Sequence, residues 1–583
     1  MTTILFNWVD ARRAWVFYVL LTAALGLVFF GSTAEFGIDN HDAETFRDNA
    51  RISKDFTYFI SADREQITGR PVADFCKWFA SLLLGANPAL FHLLVVFFHG
   101  LATLLFSRLL QQMGYDLELS FLAGLLFLVN ATHFQAIHHI SALDYPLALI
   151  FALLALLAYL RYDRSGNPLD MAAAYGFFIL GVLSHMAIAA LGPLCLYWSW
   201  RQGHPLTMLL RRLLPLGIVL GTLVLYSLYT TPRSTSTWAS LEYYGQSEVS
   251  PLNALRLLAW FSGRLLTTAH WLPFTVYKQH GWELYCGTAI LAGLFAVSWK
   301  KSTLVFWHGW IVLCLLPFVF IPEGLISYLL PEGPSRYLYL ASAGSSVLLA
   351  WALLYLSARL GAAGRYVGAA ALCIVLLFSY QALKRVEGFA YYTSGRHHIA
   401  ADHIEKGTEL LRRAIAQGGD AIPLRDAYLR LCMALLYLDH DSRAMATEAL
   451  MRFPDDLMLG GIAAVLDGEN PATRDRGYRW LQSALNRATG SGLGDVFKQH
   501  LSAVYVNLGK GYLRREDFRR AIDALQWARK LAPERAQIAT TLSGAYTALA
   551  KAQRKRGEVF EDALKSALEI DAQNTEALRL IEE

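Results

Sequence analysis

The chain has 583 residues, 55% of them hydrophobic and 17% charged, with mean hydropathy +0.33 and a formal net charge of +5. That is too apolar for an ordinary soluble enzyme of this length and points to a polytopic membrane protein. Apolar runs dominate as far as Lys384, whereas Arg, Lys, Asp and Glu crowd Arg396–Glu583, so two domains are expected, 1–390 and 391–583.

Arg12 and Arg13 precede the first apolar run. The run is long enough to span and lacks a small-residue cleavage site, so it reads as an uncleaved signal anchor with its N-terminal end in the cytoplasm. Directly after it, GIDNHDAETFRDN, Gly37–Asn49, sets Asp39, Asp42, Glu44 and Asp48 at the mouth of that span, opening a loop over 34–87. Within the loop, RPVADFCKWFASLLLG, Arg70–Gly85, has the charge spacing of an amphipathic helix lying on the membrane. Further apolar runs begin near Pro88, Leu119, Leu143, Met171, Met186, Leu213, Glu283, Thr303, Tyr337 and Tyr366. Together they predict about eleven spans across some 30 Å of hydrocarbon.

The basic loops after Arg161, at Trp200–Arg212, at Trp299–Lys301 and at Ala358–Arg365 all fall on the cytoplasmic side if the N-terminus is inside. Asn253–Phe274 is then interfacial or re-entrant, because a full span there would carry Lys300 and Lys301 outside. An odd number of spans leaves the C-terminal domain outside. The loop 34–87, the stretch Ala131–Ala142, the loop containing TTPRSTSTWASLEYYGQSEVSP and the stretch before Arg336 share that outer side. Simple solvation is the competing reading for any one of these loop residues. The six cysteines are scattered and form no CxxC pair, which argues against a disulfide framework or a zinc site.

Tetratricopeptide repeats stack helix pairs of about 34 residues with a recurring set of large and small residues. From Ser502 the set is almost whole: Tyr505, Leu508, Gly509, Tyr512, Ala521, Leu525, Ala528 and Pro533. A degenerate copy follows with Leu542 and Tyr546 in register, and a fainter one ends at Phe453–Asp456. The expected fold is therefore all-α: a polytopic helical membrane domain followed by an α-solenoid. Such a solenoid binds a protein or peptide in its groove, or serves as a structural cap.

This order of features resembles the GT-C glycosyltransferases, and more narrowly bacterial relatives of the transmembrane and tetratricopeptide-repeat protein O-mannosyltransferases. The likeness is carried by Asp39-Asn40 with Asp42 after it, where the family has an acidic pair; by GRPV, Gly69–Val72; and by PALFHLLVVFFHG, Pro88–Gly100. It continues through HFQAIHHISALDYPLALIFALLALLAY and PSRYLYLASAG, Pro334–Gly344. Asn40 stands where the family has its second acidic residue, and Ser335 where it has a glutamate before the arginine.

The resemblance implies a GT-C-like membrane domain of about eleven spans that moves a sugar from a polyprenyl-phosphate donor to a hydroxyl acceptor. A carboxylate of the first external loop, Asp39 or Asp42, is the expected general base, and displacement inverts the anomeric carbon. Arg336, at the outer start of a span, offers a planar fork to the leaving phosphate, with snorkelling to headgroups as the bland alternative. Arg70, His138 and His139 are further donor-phosphate candidates; anchoring a helix and lining the interface are their alternatives. His92 and His99, seven apart on one helix face, read first as packing. No Gly-rich phosphate loop or metal motif is visible, so neither a nucleotide sugar, a metal nor a cofactor is expected, and no nucleic-acid partner. The expected partners are membrane lipid, the lipid-linked sugar and a protein or peptide acceptor; the expected location is a bacterial inner membrane, with the repeat domain periplasmic. Two other functions compete: a ligase or polymerase of lipid-linked glycans, and a non-catalytic membrane scaffold presenting the repeats.

Overall fold

A computed structural model describes residues 11–38, 40–55, 70–230, 251–267, 281–319, 335–419, 422–440 and 442–582. The described residues are helical throughout, without strands, and divide into two compact units, Met1–Ala390 and Tyr391–Glu583.

The first unit begins with α1 (Ala11–Phe30), α2 (Asn40–Lys54), α3 (Pro71–Leu84), α4 (Pro88–Gln112) and α5 (Leu117–Leu128). A short α6 (Gln135–His138) leads to α7 (Asp144–Ser165), α8 (Pro168–Ser184), α9 (Gly192–Arg201) and α10 (Leu206–Thr230). Then come α11 (Pro251–Thr267), α12 (Gly281–Ser298), α13 (Ser302–Leu315), α14 (Tyr339–Arg359) and α15 (Gly364–Ala400). Among the described residues, five segments are long and apolar enough to cross a membrane: Arg12–Glu35, Pro88–Gln112, Ile140–Ser165, Ser335–Arg359 and Gly364–Ala400. The sequence suggested about eleven. Some of the remaining runs form shorter apolar helices, Leu117–Leu128, Pro168–Ser184 and Ser302–Leu315, while those at Leu213 and Glu283 lie in Leu206–Thr230 and Gly281–Ser298, of 25 and 18 residues. The run at Met186 breaks into a 3-10 turn, Met186–Leu191, before α9, whose second residue is Pro193. At 1.5 Å per residue, α9 is about 15 Å long, half of what a span needs.

Local sequence sets the helix ends. Asn87, Asp116 and Asn167 cap α4, α5 and α8, their side chains accepting from the backbone N–H of Ala89, Leu119 and Leu169. Gly166, at φ +68°, ends α7 in the left-handed conformation, and Pro168 opens α8 two residues on. The result is a tight antiparallel hairpin. A Cβ on Gly181 would lie 3.3 Å from Ile188 and at ordinary van der Waals distance from α7, 3.5 Å from Phe151 and 3.6 Å from the Ala148 carbonyl oxygen, so α8 packs in direct contact with α7 here. That contact sits one turn from Tyr145 on α7 and one turn before His185.

Polar groups gather at the two ends of α7. Asp163 accepts from Arg212 at 2.9 Å and pairs with His204 at 2.9 Å. Asp144, about 28 Å away along the helix, marks the other end, and the residues between them on the buried face are apolar. The spacing is close to the thickness of a bilayer's hydrocarbon core.

In the second unit consecutive helices pack on one another in turn. Between Gly494–Arg514 and Phe518–Leu531, Tyr505, Leu508, Tyr512, Ala521, Leu525 and Ala528 are buried. A Cβ on Gly509 would come within 2.8 Å of Leu525, so glycine is needed where the pair closes. Ser502 Oγ donates to the Ala528 carbonyl at 2.8 Å, and in the next pair Ser543 Oγ donates to the Ala567 carbonyl at 2.7 Å. The same buried contact thus recurs in successive pairs.

Candidate functional site

The site forms where α3, the stretch 130–145, the end of α8 and the start of α14 meet. Arg70 sits at the N-cap of α3 and pairs with Asp144, the first residue of α7, whose side chain is fully buried. Asp144 also feels the positive charges of Lys77 and Arg336. Burial opposes the Arg70 charge, but Asp144 more than restores it, so its pKa lies above the ordinary arginine value.

Helix α3 is amphipathic in an unusual sense. Ala73, Lys77 and Ala80 are buried, while Phe75, Phe79, Leu82 and Leu83 are exposed. The charged face, with Lys77 held 3.1 Å from Asp74, therefore turns inward and the apolar face outward. Such a helix suits a lipid environment around a polar interior.

A row of rings joins the two arginines. The Arg70 guanidinium lies 5.8 Å from the Tyr145 ring, and Tyr145 lies 4.4 Å from His185. His185 lies 5.9 Å from Phe318, which stacks on Tyr337 at 4.4 Å, and Arg336 lies 5.7 Å from Tyr337. All four rings are buried. The Arg336 backbone is fixed by the loop before α7: its N–H donates to Gln135 Oε1 at 3.1 Å, while the Gln135 N–H donates to Ser335 Oγ at 3.2 Å. Ser335, where the resembled family has a glutamate, thus serves as an anchor for the loop.

Four polar atoms of this cluster are buried without a hydrogen-bond partner: Asp144 Oδ1, Tyr145 Oη, His185 Nε2 and Arg336 Nε. The Ala187 N–H donates to His185 Nδ1 at 3.2 Å, so a neutral ring carries its proton on Nε2. The inventory is two donors, one acceptor and a hydroxyl that can do either. Each unpartnered buried group costs about 1–3 kcal/mol, which is unusual to find four times in one place unless something else occupies it.

Of the residues expected from sequence, Arg70 pairs directly with Asp144, and Arg336 acts on Asp144 through its charge without an ion pair. Asp39 lies outside the described residues, and of Glu44 and Asp48 only the backbone is described, within α2. Asp42 is buried in the first turn of α2 and accepts from the Ser141 N–H at 2.8 Å, which ties the start of α2 to the chain just before Asp144. His138 is set apart from the arginines, with Phe30, Phe36 and Phe134 ringed about it at 5.2–6.2 Å and both ring nitrogens unpartnered. Burial first, then His139, His92 and Lys384, hold its pKa well below the usual histidine value, so it is neutral. His139 follows at the end of α6, half-buried. His99 packs as expected, bonding Tyr339 at 2.9 Å and the Leu128 carbonyl at 3.0 Å.

Sequence reasoning passed over Asp144, Tyr145, Lys77 and His185. The signal was present in two of them: Asp144 opens an apolar run and His185 divides two, and an ionisable residue in such a place is a functional candidate by default. No protein-family model and no curated protein matches the chain.

Proposed function

We propose that this chain is a GT-C type membrane glycosyltransferase that moves a sugar from a polyprenyl-phosphate donor to a hydroxyl acceptor, a protein serine or threonine, on the outer face of a bacterial inner membrane. The observation that carries the reading is the meeting of Arg70, Lys77 and Arg336 around Asp144 beneath a helix with an outward apolar face. Asp144 balances Arg70 and Asp74 balances Lys77, which leaves the charge of Arg336 for a ligand. A phosphodiester carries one negative charge, so the count favours a lipid monophosphate donor. The lipid tail would lie along Phe75, Phe79 and Leu83.

In the reaction, the acceptor oxygen attacks the anomeric carbon and the carbon–oxygen bond to phosphate breaks. Its electron pair leaves on the polyprenyl phosphate, and the hydroxyl proton passes to a carboxylate of the first external segment, Asp39 or Asp42. Attack from the face opposite the leaving group inverts the anomeric centre. Arg336 and Arg70 stabilise the departing phosphate, and removing one such donor lowers turnover by about 10²–10³-fold. Arg161 and Arg164 lie at the Asp163 end of α7 and Arg212 pairs with Asp163, which supports a cytoplasmic position for that end and an outer position for Asp144. The recurring serine-to-carbonyl contact supports tetratricopeptide-like repeats in 391–583, here read as a periplasmic domain that holds the acceptor protein.

Binding of a polyprenyl monophosphate to purified full-length protein in nanodiscs tests the phosphate site. The wild type should bind it, and Arg336→Gln should weaken binding at least 10-fold with folding retained. Equal binding by the variant would remove Arg336 from the site.

A further inference from the structure

The phosphate reading uses the two guanidiniums and leaves three of the orphaned atoms without a purpose. Asp144 Oδ1, Tyr145 Oη and His185 Nε2 are an acceptor, a group that both donates and accepts, and a donor. Arg70 pairs with Asp144 and lies 5.8 Å from the Tyr145 ring, and Tyr145 and His185 are in ring contact at 4.4 Å, so the three residues are neighbours. Each of the three residues is over nine-tenths buried, and water has little access to satisfy them. A phosphate supplies acceptors only and would leave Asp144 Oδ1 both unpartnered and repelled. A sugar hydroxyl donates to a carboxylate through its proton while its oxygen accepts from an N–H or O–H.

We propose, on the basis of the glycosyltransferase reading, that Asp144, Tyr145 and His185 form the subsite that reads the hydroxyls of the transferred sugar, and that they select a neutral sugar over an acidic one. The Asp144 carboxylate has two tasks: Oδ2 positions Arg70, and Oδ1 faces the sugar. A uronic acid would set a second carboxylate against it.

The test compares three probes on the full-length protein in nanodiscs: bare polyprenyl monophosphate, the same lipid carrying a neutral hexose, and the same lipid carrying a hexuronic acid. The wild type should prefer the hexose lipid to the bare lipid by at least about 10-fold, each hydrogen bond contributing roughly fivefold, and should bind the uronic lipid less tightly than the hexose lipid. Tyr145→Phe, which removes one oxygen atom, and His185→Phe, which keeps a ring in place, should each erase about fivefold of the preference for hexose lipid over bare lipid. Hexose preference unchanged in both variants would overturn the sugar subsite while the phosphate site stands. No binding of bare lipid by the wild type would overturn the phosphate reading, and this inference with it.

Discussion

Replacing Arg70 by methionine removes the direct partner of a carboxylate that has no solvent exposure, while Arg70 itself is 34% exposed. Two unit charges about 4 Å apart interact by about 4 kcal/mol at an effective dielectric of 20, and breaking a buried pair from one side typically costs about 3–5 kcal/mol. Lys77 and Arg336 still act on Asp144 in the variant, which places the expected loss near the lower figure. The reverse change, Asp144→Leu, should cost less, about 1–2 kcal/mol, because the long arginine side chain can turn its head toward water. The double variant Arg70→Met/Asp144→Leu should recover most of the Arg70→Met loss, since the buried carboxylate that lost its partner is then gone as well. Equilibrium unfolding of the four proteins in mixed micelles, read as a double-mutant cycle, measures these differences. An Arg70→Met cost below 1 kcal/mol, or a double variant as unstable as the sum of the singles, would refute the claim that Asp144 depends on Arg70.

Tyr145→Phe should stabilise the ligand-free protein by about 1 kcal/mol, because it deletes a buried hydroxyl without a partner; destabilisation on thermal unfolding would show that the hydroxyl is satisfied. Gly181→Leu should cost about 1–3 kcal/mol by forcing α8 off α7, and it should weaken hexose-lipid binding by separating His185 from Tyr145; unchanged stability and binding would count against the direct contact of α8 with α7. In the second unit, burial opposes the Asp456 charge, but Arg425 and the Leu459 and Met458 N–H groups outweigh it and depress the pKa. A depressed carboxylate pKa gives stability that is present above about pH 4, the unfolded value, and is lost as pH falls through the folded one. Asp456→Asn should therefore speed amide exchange in Leu457–Glu469 at pH 6, and the difference should close toward pH 2; a pH-independent difference would contradict it.

The helical class and the helix-pair character of the second unit were legible because hydrophobic period and small-residue spacing are local properties. Tyr505, Gly509 and Ala521 carry that information within one pair of helices. Arg70 and Arg336 were legible for a related reason, since each stands next to an apolar segment where a charge is expensive. Asp144, Tyr145, Lys77 and His185 were not, because their significance comes from contacts between α3, α7, α8 and α14. Nothing in LDYP says that its aspartate meets an arginine 74 positions earlier. Hydropathy alone does not register a break such as the one at Met186–Leu191 before Pro193. Lys77 was hidden by the inverted polarity of α3: charges spaced like those of a surface helix turn inward here, and the apolar residues face out.

The most direct measurement of the central claim is transfer of a labelled hexose from a polyprenyl monophosphate to protein hydroxyls by the purified chain in vesicles. The account predicts label on serine or threonine with the anomeric configuration inverted, and at least about 10²-fold less label with Arg336→Gln. Wild-type protein that binds the donor yet leaves its sugar in place with every acceptor protein of the same membrane, or transfer that is unaffected by Arg336→Gln, would contradict it.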